Sequence, residues 1–162
     1  MTNHEIKINF TEYDNITELG SDYQSLCAEA AKALHTSHSP YSKFRVGAAL
    51  LLKSGRTILG SNQENVAYPS GLCAERVALF NWGANYPDDP IVAMAVTAQT
   101  DEFKLSQPVA SCGACLQVMA EYEKKQHSPV DYILFCSDGP VWLITGVESF
   151  LPFLFFEERL IG

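Results

Sequence analysis

The chain has 162 residues, of which 47% are hydrophobic and 19% charged, and its formal net charge at pH 7 is −8. This length and composition suit one globular domain with a single core. The acidic balance, without any run of Lys and Arg, argues against nucleic acid as a partner or substrate. No basic start precedes an apolar stretch, and no apolar run approaches the roughly 20 residues that span a bilayer. We therefore expect a cytoplasmic protein with no membrane partner.

The pattern of apolar residues predicts an α/β domain. Residues 1–20 form an amino-terminal extension with a loose alternation at Ile6, Ile8 and Phe10, and residues 21–162 form the single domain. Its predicted elements are a helix that begins at Ser21 and stops by Ser39-Pro40, a hairpin over 44–60, a helix over 73–80, a strand over 91–98, a helix over 112–122, and strands over 132–136 and 141–144. This order predicts a mixed sheet of about five strands covered by helices.

Three of the five cysteines fall in two short clusters. Cys73 begins the first, and 39 residues later Cys112 and Cys115 form a Cys-x-x-Cys pair. At the start of a helix, residues three apart lie together, and the positive helix end favours thiolate over thiol. Three protein ligands would leave one position of a tetrahedral zinc ion open, which is typical of a catalytic site.

The cysteine spacing alone leaves other interpretations open. A Cys-x-x-Cys pair is also found in thioredoxin-like redox proteins, and Cys27 or Cys136 could complete a structural four-cysteine site. All of these thiols could also simply be buried in the core. Glu75, two residues after Cys73, favours catalysis. Zinc lowers the pKa of bound water, and a carboxylate that does not ligate the metal can take the proton released.

Five motifs extend the pattern over residues 39–155. In chain order they are SPYSKFRVGAAL (39–50), NQENVAY (62–68), CAER (73–76), CGACLQ (112–117) and LPFLF (151–155). In these motifs the chain resembles the small, homotetrameric, zinc-dependent cytidine deaminases. The resemblance implies a three-layer α/β fold and hydrolysis of cytidine and deoxycytidine to uridine and deoxyuridine, with release of ammonia, in pyrimidine salvage. A zinc-activated hydroxide and a glutamate proton shuttle would carry the reaction.

The same resemblance implies a set of site residues. One zinc ion per subunit would be held by Cys73, Cys112 and Cys115, with Glu75 as the catalytic proton carrier. The substrate-binding residues would be Phe44 in the base pocket, Asn62 and Glu64 on the ribose hydroxyls, the Ala74 backbone on the pyrimidine edge, and Val66, Tyr68 and Phe155 completing the pocket of a neighbouring subunit. A separate argument concerns Arg76: three thiolates around one zinc ion leave a net negative charge, which the adjacent Arg76 would offset by donating to the cysteine sulfurs.

Two positions depart from the family pattern, and three rival functions remain. Ser111 stands where the family usually has Pro, and Leu116 where it usually has Arg. Because serine is a good N-cap, the helix is expected to start normally. The rivals are a deaminase of another substrate such as blasticidin S, a polynucleotide-editing deaminase, and a structural zinc module without catalysis. The pair Asn62 and Glu64 suits a free ribose and favours a nucleoside.

Overall fold

The computed structural model describes residues 1–160, and within this range it contains six strands and three α-helices. The strands are β1 (Thr11–Tyr13), β2 (Phe44–Leu52), β3 (Thr57–Ser61), β4 (Ile91–Thr100), β5 (Asp131–Phe135) and β6 (Val141–Thr145), and the helices are α1 (Ser21–Ala33), α2 (Ala74–Asn85) and α3 (Gly113–Gln126). Short 3-10 turns connect several of them. Among the described residues, no helix has the length and apolar character needed to cross a membrane.

The strands form one mixed sheet in the order β1-β6-β5-β4-β2-β3. Strands β4 and β5 run parallel, and every other neighbouring pair is antiparallel. The predicted mixed sheet covered by helices is therefore confirmed, with one strand more than the five expected.

The additional strand, β1, comes from the amino-terminal extension and pairs with β6 at the sheet edge. Thr11 lies opposite Leu143, and the indole N–H of Trp142 donates to the Glu12 carboxylate at 2.6 Å. The Phe10 ring meets Trp142 edge-on with centroids 5.6 Å apart. Residues 11–13 are thus attached to the sheet of the main domain. The boundary at residue 20 stays a prediction.

Alternating side chains of the central strands face two helical layers. Leu50 and Met94 pack in the core under α2 and α3, whereas their neighbours Ala49 and Ala95 pack in the core under α1, which includes Cys27. A strand buried on both faces reads as a nearly continuous apolar run, as β2 and β4 do. The arrangement is helix, sheet, helix, which confirms the three layers.

The parallel pair β4 and β5 determines where α3 begins. Parallel neighbours need a crossover, and α3 provides it, so its first turn lies beyond the carboxyl end of β4. Helix α2 packs on the same face of the sheet, directly against β3 and α3. The first turns of α2 and α3 therefore lie side by side at one edge of the sheet. Such an edge is the usual ligand-binding position in α/β sheets.

Gly60 in β3 allows α2 to approach the sheet closely. A Cβ atom at Gly60 would collide with the carbonyl oxygen of Ala74 and lie 2.6 Å from the Ala78 amide nitrogen. Since both are backbone atoms, they cannot move aside without a shift of the helix. We expect Gly60→Ser to lower the free energy of unfolding by about 1–3 kcal/mol, measured by urea denaturation.

Gly20→Ser is the matched control, because a Cβ atom at Gly20 would meet nothing within 4 Å. Gly20 is the N-cap of α1, a position that serine suits well. The control should unfold like the wild type. Equal stability of the Gly60 and Gly20 variants would contradict the tight contact between β3 and α2.

Candidate metal and substrate site

Three thiols converge where α2 and α3 begin. Cys73 and Cys112 are the N-cap residues of the two helices, and Cys115 lies in the first turn of α3. The Cys112 sulfur lies 3.8 Å from that of Cys73 and 3.5 Å from that of Cys115, and all three are within 4.8 Å of one another. Zinc–sulfur bonds of about 2.3 Å in a tetrahedron require sulfurs about 3.8 Å apart. The donor set therefore fits zinc.

The other two cysteines do not join this cluster. Cys27 packs in the core under α1, and Cys136 is buried at the end of β5. Within residues 1–160, the three-thiol cluster is the one group of three or more donors close enough to share an ion. A four-cysteine structural site is thus not found there, and three protein ligands leave a tetrahedral ion one open position.

The thiols of the cluster differ in acidity. Interaction with the Cys115 thiol lowers the pKa of Cys73, and Arg76 assists despite the cost of burial, so that this pKa falls to about 5. The same interaction with Cys73 raises the pKa of Cys115, and burial raises it further. Cys73 is therefore the first of the pair to become a thiolate, the form that binds metal ions.

Arg76 projects from the first turn of α2 towards the thiols. Its guanidinium Nη2 lies 3.8 Å from the Cys73 sulfur. Burial would lower the pKa of Arg76, but the hydrogen bond to Cys73 and the charges of Cys73 and Cys115 outweigh burial and raise it. Its buried Nε finds no hydrogen-bond partner among the described residues. The permanent positive charge of Arg76 therefore faces the cysteine sulfurs.

Glu75 is buried beside the cluster, with 4% of its surface exposed. Burial raises the pKa of its carboxyl group, and the negative charge of Cys73 adds to this effect. Hydrogen bonds from its own backbone amide, Ser111 and Cys115 act in the opposite direction but do not cancel the shift. A carboxyl group with a raised pKa is suited to accept and return a proton near neutral pH.

A cavity of about 850 Å³ lies in front of the thiols. Eight of the site residues expected from the sequence line it: Phe44, Asn62, Glu64, Tyr68, Cys73, Glu75, Arg76 and Cys112. Cys115 and Ala74 are completely buried next to it. Val66 and Phe155 lie outside the cavity, with 79% and 71% of their surfaces exposed.

Asn62 is held firmly by the start of β2. Its side-chain oxygen accepts from the Val46 amide at 2.8 Å and from the Ser37 hydroxyl at 2.6 Å, while its amide nitrogen donates to the Phe44 carbonyl at 2.8 Å. An amide nitrogen carries two N–H groups. Asn62 therefore both shapes the β2 entrance and has one N–H left for a ligand.

Glu64 is fixed in a similar way by the turn before β2. Its Oε2 accepts from the backbone amides of Tyr41 at 2.9 Å and Ser42 at 3.2 Å. Slight burial would raise the pKa of Glu64, but hydrogen bonds from Ser42 and Tyr41 and the charge of His38 lower it overall. Glu64 is therefore an ionised acceptor whose second oxygen, Oε1, remains for a ligand.

Several cavity residues lie outside the expected set. Tyr41 packs edge-on against Tyr68 with ring centroids 5.5 Å apart, at the cavity mouth. Val109 and Ala110 line the cavity from the loop before α3. Tyr41 belongs to the first motif, and its neighbour Pro40 indicates a turn near the site. Val109 and Ala110 carry no chemical signal in the sequence.

The structure accounts for the two departures from the family pattern. Ser111 is not the N-cap of α3 as expected, since Cys112 occupies that position. The Ser111 side chain instead acts on Glu75, whose pKa it lowers against the larger effect of burial. Leu116 is 9% exposed and packs in the core under α2 and α3. The core therefore accommodates an apolar side chain at this position.

Three thiols that fit a zinc ion and a buried carboxyl group beside them are the groups that a zinc-dependent hydrolase requires. The sequence profile of the cytidine and deoxycytidylate deaminase zinc-binding region matches residues 1–111. The chain is 49% identical over 141 residues to the cytidine deaminase of Halalkalibacterium halodurans, covering 86% of this chain and 98% of that protein. It is 45% identical over 148 residues to the cytidine deaminase of Sporosarcina psychrophila, covering 86% and 95%.

The fold leads to the same family. The crystal structure of the cytidine deaminase from Burkholderia pseudomallei superposes with a TM-score of 0.69 and 36% identity, covering 81% of this chain and 97% of that one. The cytidine deaminase from Mycobacterium tuberculosis gives a TM-score of 0.63 and 26% identity, covering 85% and 100%. This chain therefore belongs to the cytidine deaminase family.

Zinc content tests the three-thiol cluster. We expect Cys112→Ala to lose most of its zinc, because two thiols remain where three are needed, and Cys112 is exposed enough for the fold to survive. The control is Cys136→Ala, which removes a thiol outside the cluster and should retain zinc like the wild type. Metal analysis after dialysis measures both proteins. Equal zinc content in the two variants would contradict the assignment.

Proposed function

We propose that this protein hydrolyses cytidine and deoxycytidine to uridine and deoxyuridine, with release of ammonia, as a pyrimidine salvage enzyme of the cytoplasm. The single observation that carries the proposal is the position of Glu75, buried beside the three-thiol cluster in the same cavity as Asn62 and Glu64. The proton carrier and candidate sugar ligands thus share one cavity. The names of the relatives support the choice of nucleoside.

Cys73, Cys112 and Cys115 would hold one zinc ion per chain. When bound, zinc would act as a Lewis acid that lowers the pKa of water, so that hydroxide is available to attack near neutral pH. Arg76 balances the excess negative charge of the thiolates by donating towards Cys73. The Ala74 backbone, at the start of α2 between Cys73 and Glu75, would contact the pyrimidine edge.

Glu75 would carry two protons in turn. Water adds across the N3–C4 bond, and Glu75 takes a proton from the water and delivers it to ring N3. The second proton of the water then passes through the same carboxyl group to the exocyclic amine. The bond between C4 and that nitrogen breaks, ammonia leaves, and the C4 carbonyl of the uridine product forms. Burial, which keeps the Glu75 pKa above that of an ordinary carboxyl, suits both acceptance and return of the proton.

Asn62 would bind the ribose as a hydrogen-bond donor, and Glu64 would bind it as a hydrogen-bond acceptor. Asn62 has one N–H left to donate to a sugar oxygen, because its other groups are bonded to β2 and Ser37. Glu64 has one carboxylate oxygen left to accept from a hydroxyl. A hydroxyl group can satisfy both at once, since it donates and accepts. Phe44 would pack against the base.

Assembly into a homotetramer would complete the site. Val66, Tyr68 and Phe155 are highly exposed, although each is a large hydrophobic residue. Exposed apolar groups beside a cavity are suited to burial against another subunit. Val66 and Phe155, which lie outside the cavity of their own chain, would line that of a neighbour.

A substrate panel tests the proposed function. Zinc-loaded protein is mixed with cytidine, deoxycytidine or blasticidin S, and the change in ultraviolet absorbance and the release of ammonia are recorded. We expect turnover of both nucleosides and loss of activity after chelation, with recovery on addition of zinc. Turnover of blasticidin S alone would assign a different deaminase. Bound zinc without any turnover would assign a structural module.

Replacement of the proton carrier tests the mechanism. Glu75→Gln keeps the size of the side chain but removes its ability to transfer protons, so kcat should fall by about 10²- to 10⁴-fold. Zinc content and nucleoside binding should be retained, because Glu75 ligates no metal in this proposal. Glu121→Gln, the same change on the exposed surface of α3, is the matched control and should leave kcat unchanged. Near-wild-type turnover of Glu75→Gln would refute the assignment.

A further inference from the structure

The ring of Phe44 contacts a second aromatic ring that belongs to none of the sequence motifs. Phe103 stacks on Phe44 with ring centroids 6.4 Å apart and an angle of 30° between the planes. Phe44 lines the cavity, whereas Phe103 lies outside it with 59% of its surface exposed. Phe103 therefore contacts the wall of the cavity from the outside.

An ion pair joins the two segments that carry these rings. Arg45 follows Phe44 in β2, and Asp101 follows the last residue of β4, two positions before Phe103. The Arg45 guanidinium donates to both oxygens of Asp101, at 2.7 and 3.1 Å. An exposed ion pair contributes little to stability through its charge, but a two-pronged contact fixes orientation. This ion pair therefore links the backbone beside Phe44 to the backbone near Phe103.

The loop that carries Phe103 also reaches the metal cluster. Residues 101–111 connect β4 to α3, and Val109 and Ala110 at the far end of this loop line the cavity just before Cys112. Lys104 lies 3.6 Å from Asp138, and both side chains are exposed. One end of the loop therefore contacts Phe44 through Phe103, and the other end lines the cavity next to the metal cluster.

We propose that Phe103 is a positioning residue for substrate binding, which holds the Phe44 ring in the orientation that receives the pyrimidine. This inference rests on the proposed function, because it takes the nucleoside as the ligand of the cavity. Without Phe103, one face of the Phe44 ring would be exposed to solvent and the ring would turn more freely. Nucleoside binding would then have to order the Phe44 ring, which would lower the affinity. The proton carrier and the thiols lie on α2 and α3, so the chemical step would not change.

Steady-state kinetics on cytidine with the zinc-loaded protein test this role. Phe103→Ala should raise KM by about three- to tenfold, the range expected from loss of one aromatic pair, and leave kcat unchanged. Phe103→Tyr keeps the ring and should restore the wild-type KM. Lys104→Ala, which removes the neighbouring side chain that pairs with Asp138, is the matched control and should change neither constant. In a Phe44→Leu background, Phe103→Ala should cause no further rise in KM.

Each other outcome overturns the inference. An unchanged KM in Phe103→Ala removes it, and so does an equal rise in KM with and without Phe44. A lower kcat accompanied by a lower melting temperature or by loss of zinc would assign Phe103 a general structural role instead. Absence of cytidine turnover in the wild type would overturn the proposed function, and this inference with it.

Discussion

The site depends on the close approach of two helix starts. Three thiols can share one ion only if their sulfurs lie about 3.8 Å apart, and no single helix supplies three such positions here. The crossover between β4 and β5 puts the first turn of α3 at the sheet edge, and the small residue Gly60 allows α2 to lie against β3 beside it. Gly47 has the same effect on the other face, where a Cβ atom would collide with the Ala30 carbonyl of α1.

The close approach of the two helices also places two acidic groups and one cation near one another. Cys73 is the more acidic thiol of its pair, and its negative charge lies beside the buried carboxyl group of Glu75. Burial raises the pKa of Glu75, and repulsion by the negative charge of Cys73 adds to the rise. Arg76, on the same helical turn, donates to Cys73. One turn of helix therefore carries the proposed metal ligand Cys73, the proposed proton carrier Glu75 and a cation that faces them, Arg76.

Sequence periodicity predicted the elements best where neighbouring residues determine them. The hairpin predicted over 44–60 is present in the structure as β2 (Phe44–Leu52) and β3 (Thr57–Ser61). The helix predicted over 73–80 continues to Asn85, past Gly83, which normally weakens a helix. A Cβ atom at Gly83 would lie 2.7 Å from the Tyr122 hydroxyl oxygen of α3, so close packing between the helices favours glycine there. That contact cannot be predicted from the residues around Gly83.

The sequence by itself identified the candidate chemical groups of this protein: three cysteines, one glutamate and the two ribose-binding candidates are recognisable from their residue types within short motifs. Tertiary structure alone decided what surrounds them. Pairing of β1 with β6 joins residues 130 positions apart, such as Glu12 and Trp142, and the burial of Leu116 and the stacking of Phe103 on Phe44 likewise join distant segments. The reason is physical. Local periodicity and capping act over a few residues, whereas these contacts form only when packing brings separate elements together.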